Sequence, residues 1–249
     1  MNRADFVEAL LKVMERKTHW AWPAFTSGRV PRNRLHIHLE QEYATYVRDF
    51  PILLGLAHVQ CPIAAVRQEL AANLFEEETG GLVAGRAHPE LFLDIPRGLG
   101  YDLARFARVE LLPEAARYRA LLDELAGRRG WEIGVAITTL FIEGTAHERQ
   151  EIAPTHARAA VAPLSEHPLV KHYGLPAAAL TLAEAHRKGE GEHRAAAWRM
   201  VLDHLGEPAR APVVAAMENV LAAWLTYRDG VARACGLARS PTNTPELAT

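Results

Sequence analysis

The octapeptide "HRKGEGEH" at residues 186–193 combines histidine and glutamate at a spacing that suits metal binding. His186, Glu190 and His193 stand at i, i+4 and i+7, so they share one face if the segment is helical. Apolar residues before and after continue that face, and burying three polar groups there without partners would cost several kcal/mol. A metal ion would satisfy all three. The alternative is a solvated turn, because glycine and charged residues are typical of loops.

Two other segments place a carboxylate where a helix should bury an apolar side chain. In "VRQELAANLFEEETGG" Glu77 falls on the apolar stripe, whereas Glu76 and Glu78 point to its sides. In "AITTLFIEGTAHERQ" Glu143 lies on the face that should pack, and His88 follows Glu77 after a glycine-containing turn. Taken singly, these residues also fit a solvated helix end, a satisfied core acid and a packing or N-cap histidine.

Together these residues make three carboxylates and three imidazoles on separate segments. Carboxylates can bridge a metal pair and imidazoles can complete its coordination, so the set suits two iron or manganese ions better than structural zinc, which usually has thiolate ligands. His147, four residues after Glu143, is a further candidate, with a plain hydrogen-bonding role as its alternative. Tyr43 and Tyr46 are expected to be core aromatics, with a pocket or redox role as the alternative.

The elements that must position these residues are predicted to be helices. Apolar residues recur at spacings of three and four almost throughout, with no sustained alternation of strand type, which indicates an all-α fold. The predicted helices are roughly 4–20, 31–59 with a bend at Pro51, 63–79, 88–108, 113–127, 130–152, 176–205 and 208–235.

Composition narrows the class of partner. The chain has 249 residues with 28 basic and 30 acidic side chains, and it lacks a basic patch of the kind that binds nucleic acid or membranes. A small-molecule partner is therefore expected. The charged, amphipathic N-terminal segment does not read as a signal peptide, and the two cysteines form no CxxC pair, so a cytoplasmic location is expected.

The motifs together resemble a known family. "NLFEEETGG" followed by "HPELF", then "FIEGTAHER", then the H-x3-E-x2-H of "HRKGEGEH" resemble the heme-oxygenase-like diiron oxidases and oxygenases. These iron-containing redox enzymes are related to proteins that make pyrroloquinoline quinone or degrade thiamin. The resemblance covers roughly residues 15–205. It implies an all-α, heme-oxygenase-like bundle of seven to eight helices without heme, in a single domain over 1–235, and we expect residues 236–249 to form a disordered tail.

The resemblance also implies a site and an activity. Its metal ligands would be Glu77, His88, Glu143, His186, Glu190 and His193. They would hold two iron ions, with manganese as an alternative, and O₂ would be the co-substrate. The acid at position 190 is more often aspartate in these proteins, so the longer glutamate can change how that ligand binds the metal.

The implied reaction is O₂-dependent oxidation of a small amino-acid-like or fatty-acid-like metabolite, by desaturation, C–C cleavage, decarboxylation or N-oxygenation. The alternatives are a metal-free biosynthetic enzyme of the same fold and a non-catalytic binding or regulatory protein. An external electron donor and a homodimer are compatible with the sequence. Arg187 and Arg194 are candidates to clamp a substrate carboxylate, although exposed helix faces are the expected places for them.

Overall fold

The computed structural model describes residues 1–152 and 162–248, without the side chains of residues 151 and 188–193. The α-helices of this part of the chain are α1 (Arg3–Glu15), α2 (Trp22–Thr26), α3 (Arg32–Glu42), α4 (Phe50–Gln60), α5 (Ala64–Thr79), α6 (His88–Phe92), α7 (Asp94–Gly98), α8 (Ala104–Ala107), α9 (Pro113–Arg128), α10 (Trp131–Val135), α11 (Glu148–Ile152), α12 (Pro168–Tyr173), α13 (Thr181–His204) and α14 (Glu207–Ala234). Two π-helices span Tyr43–Val47 and Ala136–Ile142, and two 3₁₀-helices span Leu164–Glu166 and Ala177–Ala179. The predicted all-α class is confirmed.

The long helices pack side by side around one core. Helix α14 lies along α9 and α1, while α4 lies against α5 and α9. Tyr118 of α9 stacks on Tyr227 of α14 with ring centroids 5.3 Å apart, and both side chains are buried. The three- and four-residue spacing of apolar residues in the sequence corresponds to these buried faces. None of the described helices has the combination of length and apolar character that a membrane span requires.

Several predicted helices are shorter or interrupted in the structure. The predicted helix 31–59 contains a π-helical turn and breaks just before Pro51, which occupies the first turn of α4. The predicted helix 88–108 is three short helices, because Pro96 and the left-handed Gly100 (φ 78°) interrupt its backbone pattern. Helices α2 and α12 were not predicted, since each is too short to show a period.

The segment after α14 differs from the predicted disordered tail. Strands β1 (Leu237–Arg239) and β2 (Pro245–Leu247) form an antiparallel hairpin, and the Leu237 side chain is buried. Asn243 adopts a left-handed conformation in the turn (φ 61°), which asparagine tolerates better than most residues. The prediction of disorder is therefore wrong for residues 237–247, because one buried leucine and a compact turn carry no periodic signal.

The segment "HRKGEGEH" lies inside α13 rather than in a turn. The helix runs from Thr181 to His204 through Gly189 and Gly191. It begins five residues later than predicted, after the 3₁₀-helix Ala177–Ala179. The helical alternative is thus confirmed over the loop alternative, and residues 186, 190 and 193 share one face of α13 by their spacing.

Candidate metal centre

A cavity of about 240 Å³ lies among α5, α6, α13 and the two π-helices. Four of the six predicted ligands line this cavity: Glu77, His88, Glu143 and His186. The remainder of its wall is formed by Glu42, Tyr46, Val47, Phe50, Phe92, Ile142 and Leu182. Three segments that are distant in sequence therefore bring carboxylates and imidazoles to one mainly apolar chamber.

His88 sits between two carboxylates at the start of α6. Its Nδ1 is 2.7 Å from Glu77 Oε1, and its Nε2 is 3.6 Å from Glu76 Oε1. Both ring nitrogens are buried, yet neither makes a well-aligned hydrogen bond. Burial lowers the pKa of His88, but the two carboxylates outweigh it and the pKa is raised. The ring of His186 lies edge-on to it, with centroids 5.3 Å apart.

Glu143 immediately follows the second π-helix and lines the same cavity. Asn73, one turn before Glu77 on α5, donates a hydrogen bond from Nδ2 to Glu143 Oε1 at 2.6 Å. Burial and the negative charge of Glu77 raise the pKa of Glu143 to about 7. The next residue must be glycine, because a Cβ on Gly144 would lie 2.1 Å from the Leu140 carbonyl oxygen.

The two π-helices both adjoin the cavity. The first contributes Tyr46 and Val47 to its wall, and the second contributes Ile142 and leads into Glu143. Each π-turn widens the backbone relative to an α-helix and so redirects the side chains beyond it. Such turns are rare and frequently occur at functional sites. Nothing in the hydrophobic period of the sequence marked them.

Glu76 is buried, which corrects the prediction that it points to the side of α5. Its carboxylate accepts hydrogen bonds from the backbone N–H groups of Leu82, Val83 and Ala84 at 2.7, 3.0 and 2.8 Å. The loop after α5 folds back over the helix end to reach it. Glu76 thereby orders the connection between two candidate ligands, whereas Glu78 is exposed.

A buried polar network on the wall of the cavity was not anticipated from the sequence. Tyr46 donates a hydrogen bond to Glu42 Oε1 at 2.5 Å, and Arg228 Nη2 lies 3.2 Å from the same oxygen. His38 Nε2 is 3.2 Å from Glu42 Oε2. Burial raises the pKa of Glu42, but Arg228 and His38 outweigh it and lower the pKa to about 2. Tyr46 is thus a pocket residue, whereas Tyr43 stacks on Phe92 as a core aromatic.

Arg194 is buried and structural, contrary to the expected exposed position. Its Nη2 donates to Glu148 Oε2 at 2.5 Å, and its Nη1 donates to the Thr139 carbonyl oxygen at 2.6 Å. Trp198 Nε1 also donates to Glu148, at 2.8 Å. This cluster joins α13 to α11 and to the second π-helix. Arg187 is exposed, as expected, and donates a hydrogen bond to the Ala162 carbonyl oxygen. Neither arginine lines the cavity, so neither is placed there to clamp a carboxylate.

The remaining two predicted ligands, Glu190 and His193, have side chains that lie outside the described residues. Among the side chains that are described, no three His, Cys, Asp or Glu groups are close enough together to hold a metal ion. The described groups nevertheless suit iron chemically. Two buried imidazole nitrogens of His88 lack hydrogen bonds, and the carboxylates of Glu77 and Glu143 face one chamber, as mixed nitrogen and oxygen ligation requires.

Comparison with known proteins identifies the family. Residues 38–225 match the model of a family described as "Iron-containing redox enzyme". The match covers most of the chain and includes all six predicted ligands. The chain therefore belongs to this heme-oxygenase-like family of iron-containing redox enzymes, and the predicted fold and family are confirmed. No curated protein matches the chain in sequence.

Proposed function

We propose that this protein is a non-heme diiron oxidase or oxygenase. In this proposal it uses O₂ to oxidise a small amino-acid-like or fatty-acid-like metabolite by desaturation, C–C cleavage, decarboxylation or N-oxygenation. The observation that carries the proposal is the position of His88, whose Nδ1 lies 2.7 Å from Glu77 without a well-aligned hydrogen bond and whose ring lies edge-on to that of His186. Membership of an iron-containing redox family supports the choice of metal.

Six residues would hold the metal pair: Glu77, His88, Glu143, His186, Glu190 and His193. When bound, the two iron ions would supply the electrons and the oxidising power that amino-acid side chains lack. Three carboxylates would offset most of the charge of two Fe²⁺ ions, which favours oxidation of the metal. Asn73 would hold the Glu143 carboxylate through its hydrogen bond, and Glu76 would hold the loop that carries His88.

The wall of the cavity would bind and shield the substrate. Phe50, Phe92 and Leu182 supply apolar surface that excludes water from the reacting carbon. Tyr46 and Glu42 are the polar groups on that wall, and the hydrogen bond between them keeps the phenol proton directed at the carboxylate. Burial and the charge of Glu42 raise the pKa of Tyr46, so the phenol remains protonated and can orient a polar substrate group.

The test is substrate-dependent O₂ consumption. Protein loaded anaerobically with Fe²⁺ is mixed with O₂ and a panel of amino acids and straight-chain fatty acids, and products are identified by mass spectrometry. We expect O₂ uptake coupled to oxidation of a member of one class, and loss of both in Glu143→Ala. Turnover of the same substrate by metal-free protein would favour the alternative of a metal-free biosynthetic enzyme. Binding without any turnover would favour a binding or regulatory protein.

A further inference from the structure

A second cavity of about 320 Å³ lies next to the candidate metal centre. Tyr46 lines both cavities, and Gly144, the neighbour of Glu143, lines the second. The second cavity is also lined by Lys17, Trp22, Trp224 and Arg228, together with His147, which the sequence suggested as a further candidate. Its wall therefore contains two cationic side chains and two indole rings, and no carboxylate lines it among the residues that the structure describes.

Lys17 is a buried cation whose described partners are all neutral. Its Nζ donates hydrogen bonds to the carbonyl oxygens of Phe141, Ile142 and Gly144 at 2.5, 3.2 and 2.7 Å. Three N–H donors to three acceptors correspond to the ammonium form. Burial and the charges of Arg194 and Arg228 oppose that form and lower the pKa of Lys17 to about 7. Two rings accommodate this charge, with Nζ 4.9 Å from the centroid of Phe141 and 6.0 Å from that of Trp224. Within the described part of the chain, no carboxylate pairs with Lys17.

Arg228 is only loosely held by its carboxylate partner. Its Nη atoms lie 3.2 and 3.5 Å from the oxygens of Glu42, longer than the roughly 2.7–2.9 Å of a strong charge-assisted hydrogen bond. Its Nε is buried and donates no hydrogen bond to any described group. The guanidinium stacks over Trp22 and Trp224, with its central carbon 4.8 and 5.4 Å from their centroids.

The three cations near the second cavity differ in their partners. Arg194 pairs with Glu148 and Arg228 faces Glu42, whereas the described hydrogen bonds of Lys17 all go to carbonyl oxygens. The nearby carboxylate of Asp229 does not line the second cavity. It is bound by the side chains of Trp20 and His19. A negative charge between Lys17 and Arg228 would offset the repulsion between these two cations and favour the ammonium form of Lys17.

We infer that the second cavity is a binding site for a monoanionic carboxylate, held by Arg228 and the charge of Lys17 between two indole rings. The planar guanidinium suits a carboxylate, and because Arg228 already faces Glu42, the site suits a monoanion better than a phosphate dianion. Because Tyr46 lines both cavities, a longer carboxylic acid bound in the second cavity would extend toward the candidate metal centre. Assigning this carboxylate to the substrate rests on the proposed function, whereas the anion site itself does not.

The anion site is tested by titrating metal-free protein with sodium acetate, hexanol and inorganic phosphate in chloride-free buffer. The readout is the ¹⁵N–¹H signals of the five tryptophan indoles. We expect saturable shifts of Trp22 and Trp224 with acetate, and none of Trp131 or Trp198, which line neither cavity. Shifts of equal size with hexanol, tighter binding of phosphate, or no response to acetate would overturn the carboxylate assignment.

Matched variants locate the charge that binds the anion. Lys17→Met removes the charge with little change in length, and Lys12→Met, on an exposed position of the preceding helix α1, is the control. We expect acetate affinity to fall at least about tenfold in Lys17→Met and in Arg228→Gln, and to stay unchanged in Lys12→Met. Unchanged affinity in a folded Lys17→Met or Arg228→Gln would overturn the site. If neither variant folds, the wild-type indole titration decides.

A longer acid tests whether the two cavities serve one substrate. Octanoate and acetate are compared on metal-free protein, with the Ile142 methyl signal as a reporter for the first cavity. We expect both acids to shift the Trp22 and Trp224 indoles and only octanoate to shift Ile142. Octanoate that leaves Ile142 unchanged would refute the assignment to the substrate and retain the anion site. Because no metal is present, failure of the diiron proposal would not affect either result.

Discussion

Glu76 fixes the chain between two candidate ligands by accepting three backbone hydrogen bonds from Leu82, Val83 and Ala84. Burial raises the pKa of its carboxyl group, but these hydrogen bonds outweigh it and the pKa is lowered. The carboxylate is therefore charged in the folded protein and stabilised by local dipoles. Its role is to hold the loop that brings His88 to within 2.7 Å of Glu77.

Replacing Glu76 by Gln should destabilise the protein and weaken the candidate metal site. Glutamine removes the charge and presents an amide N–H₂ to backbone donors, so we expect a loss of about 1–3 kcal/mol in the free energy of unfolding. The measurement is urea denaturation, followed by Fe²⁺ titration of the folded fraction. Glu78→Gln, on the exposed neighbour, is the matched control. Equal stability of the two variants would contradict the role assigned to Glu76.

At the residue scale, helical geometry identified some groups and missed others. Glu77 and Glu143 fall on the apolar faces of their segments, and this position predicted that both face one site. Both residues line the cavity. The same helical geometry suggested that Glu76 points sideways, because it takes no account of a loop that folds back. The contact between Glu42 and Arg228 joins positions 186 residues apart, and no local pattern connects them.

Helix α13 carries half of the predicted ligands and two glycines in its interior. Glycine costs roughly 1 kcal/mol relative to alanine at each helix-interior position, since it loses more backbone freedom on folding. The charged cluster at Arg194 and Glu148 anchors the helix just beyond these glycines. The helical turn that contains Gly189 and Gly191 is therefore expected to be less stable than the next turn, which Arg194 anchors to Glu148.

Replacing both Gly189 and Gly191 by alanine should stabilise the metal-free protein. We expect an increase of up to about 2 kcal/mol in the free energy of unfolding, because alanine reduces the entropy of the unfolded chain. Thermal and urea denaturation without metal measure the change. A single Gly206→Ala variant, at the N-cap of α14 outside the helix interior, is the comparison. A destabilised double variant would show that close packing or another backbone geometry requires these glycines.

At the element scale, helix type was predictable and helix continuity was not. The apolar residues before and after "HRKGEGEH" continue one helical face, and they correctly favoured helix over turn for α13. The π-helical turns at Tyr43–Val47 and Ala136–Ile142 left no such trace, because one extra residue per turn only shifts a pattern that already tolerates spacings of three and four. Those turns determine how Tyr46 and Glu143 are presented to the cavity.

The bundle as a whole encloses several charged and titratable groups, and His38 is the clearest example for pH dependence. Burial lowers the pKa of His38 from 6.5 to about 4. Its neutral ring fits its partners, since Nε2–H can donate to Glu42 while Nδ1 can accept from Arg228. Between these two pKa values the unfolded chain binds the proton more readily, so acidification favours unfolding.

The contribution of His38 to the free energy of unfolding should therefore fall as the pH drops from about 6.5 toward about 4, whereas Glu143, whose pKa is raised to about 7, contributes in the opposite direction. His38 contributes a slope of up to about 1.4 kcal/mol per pH unit across this window. Urea denaturation at several pH values should give a less positive dependence of stability on pH in His38→Gln than in wild type, with His204→Gln as an exposed control. An identical slope in wild type and His38→Gln would contradict the buried, neutral assignment.

At the scale of the whole molecule, the fold class followed from periodicity alone, while the family followed from three motifs in order. The chain packs as the all-α bundle that its apolar spacing indicates, and residues 38–225 match the expected family. The second cavity was not foreseeable, because Lys17 on the segment after α1 and Arg228 on α14 meet only after the bundle closes. The terminal hairpin was missed because its single buried leucine and compact turn carry no periodic signal.

The most direct test of the central claim is an anaerobic titration of the protein with Fe²⁺, followed by removal of loosely bound metal and iron analysis. We predict that the wild-type protein retains about two ions per chain and that Glu143→Ala and His186→Ala each lose one or both. His204→Ala, on the exposed end of the same helix α13, should retain both ions. Wild-type protein that retains no iron, or full retention in Glu143→Ala and His186→Ala, would contradict the account.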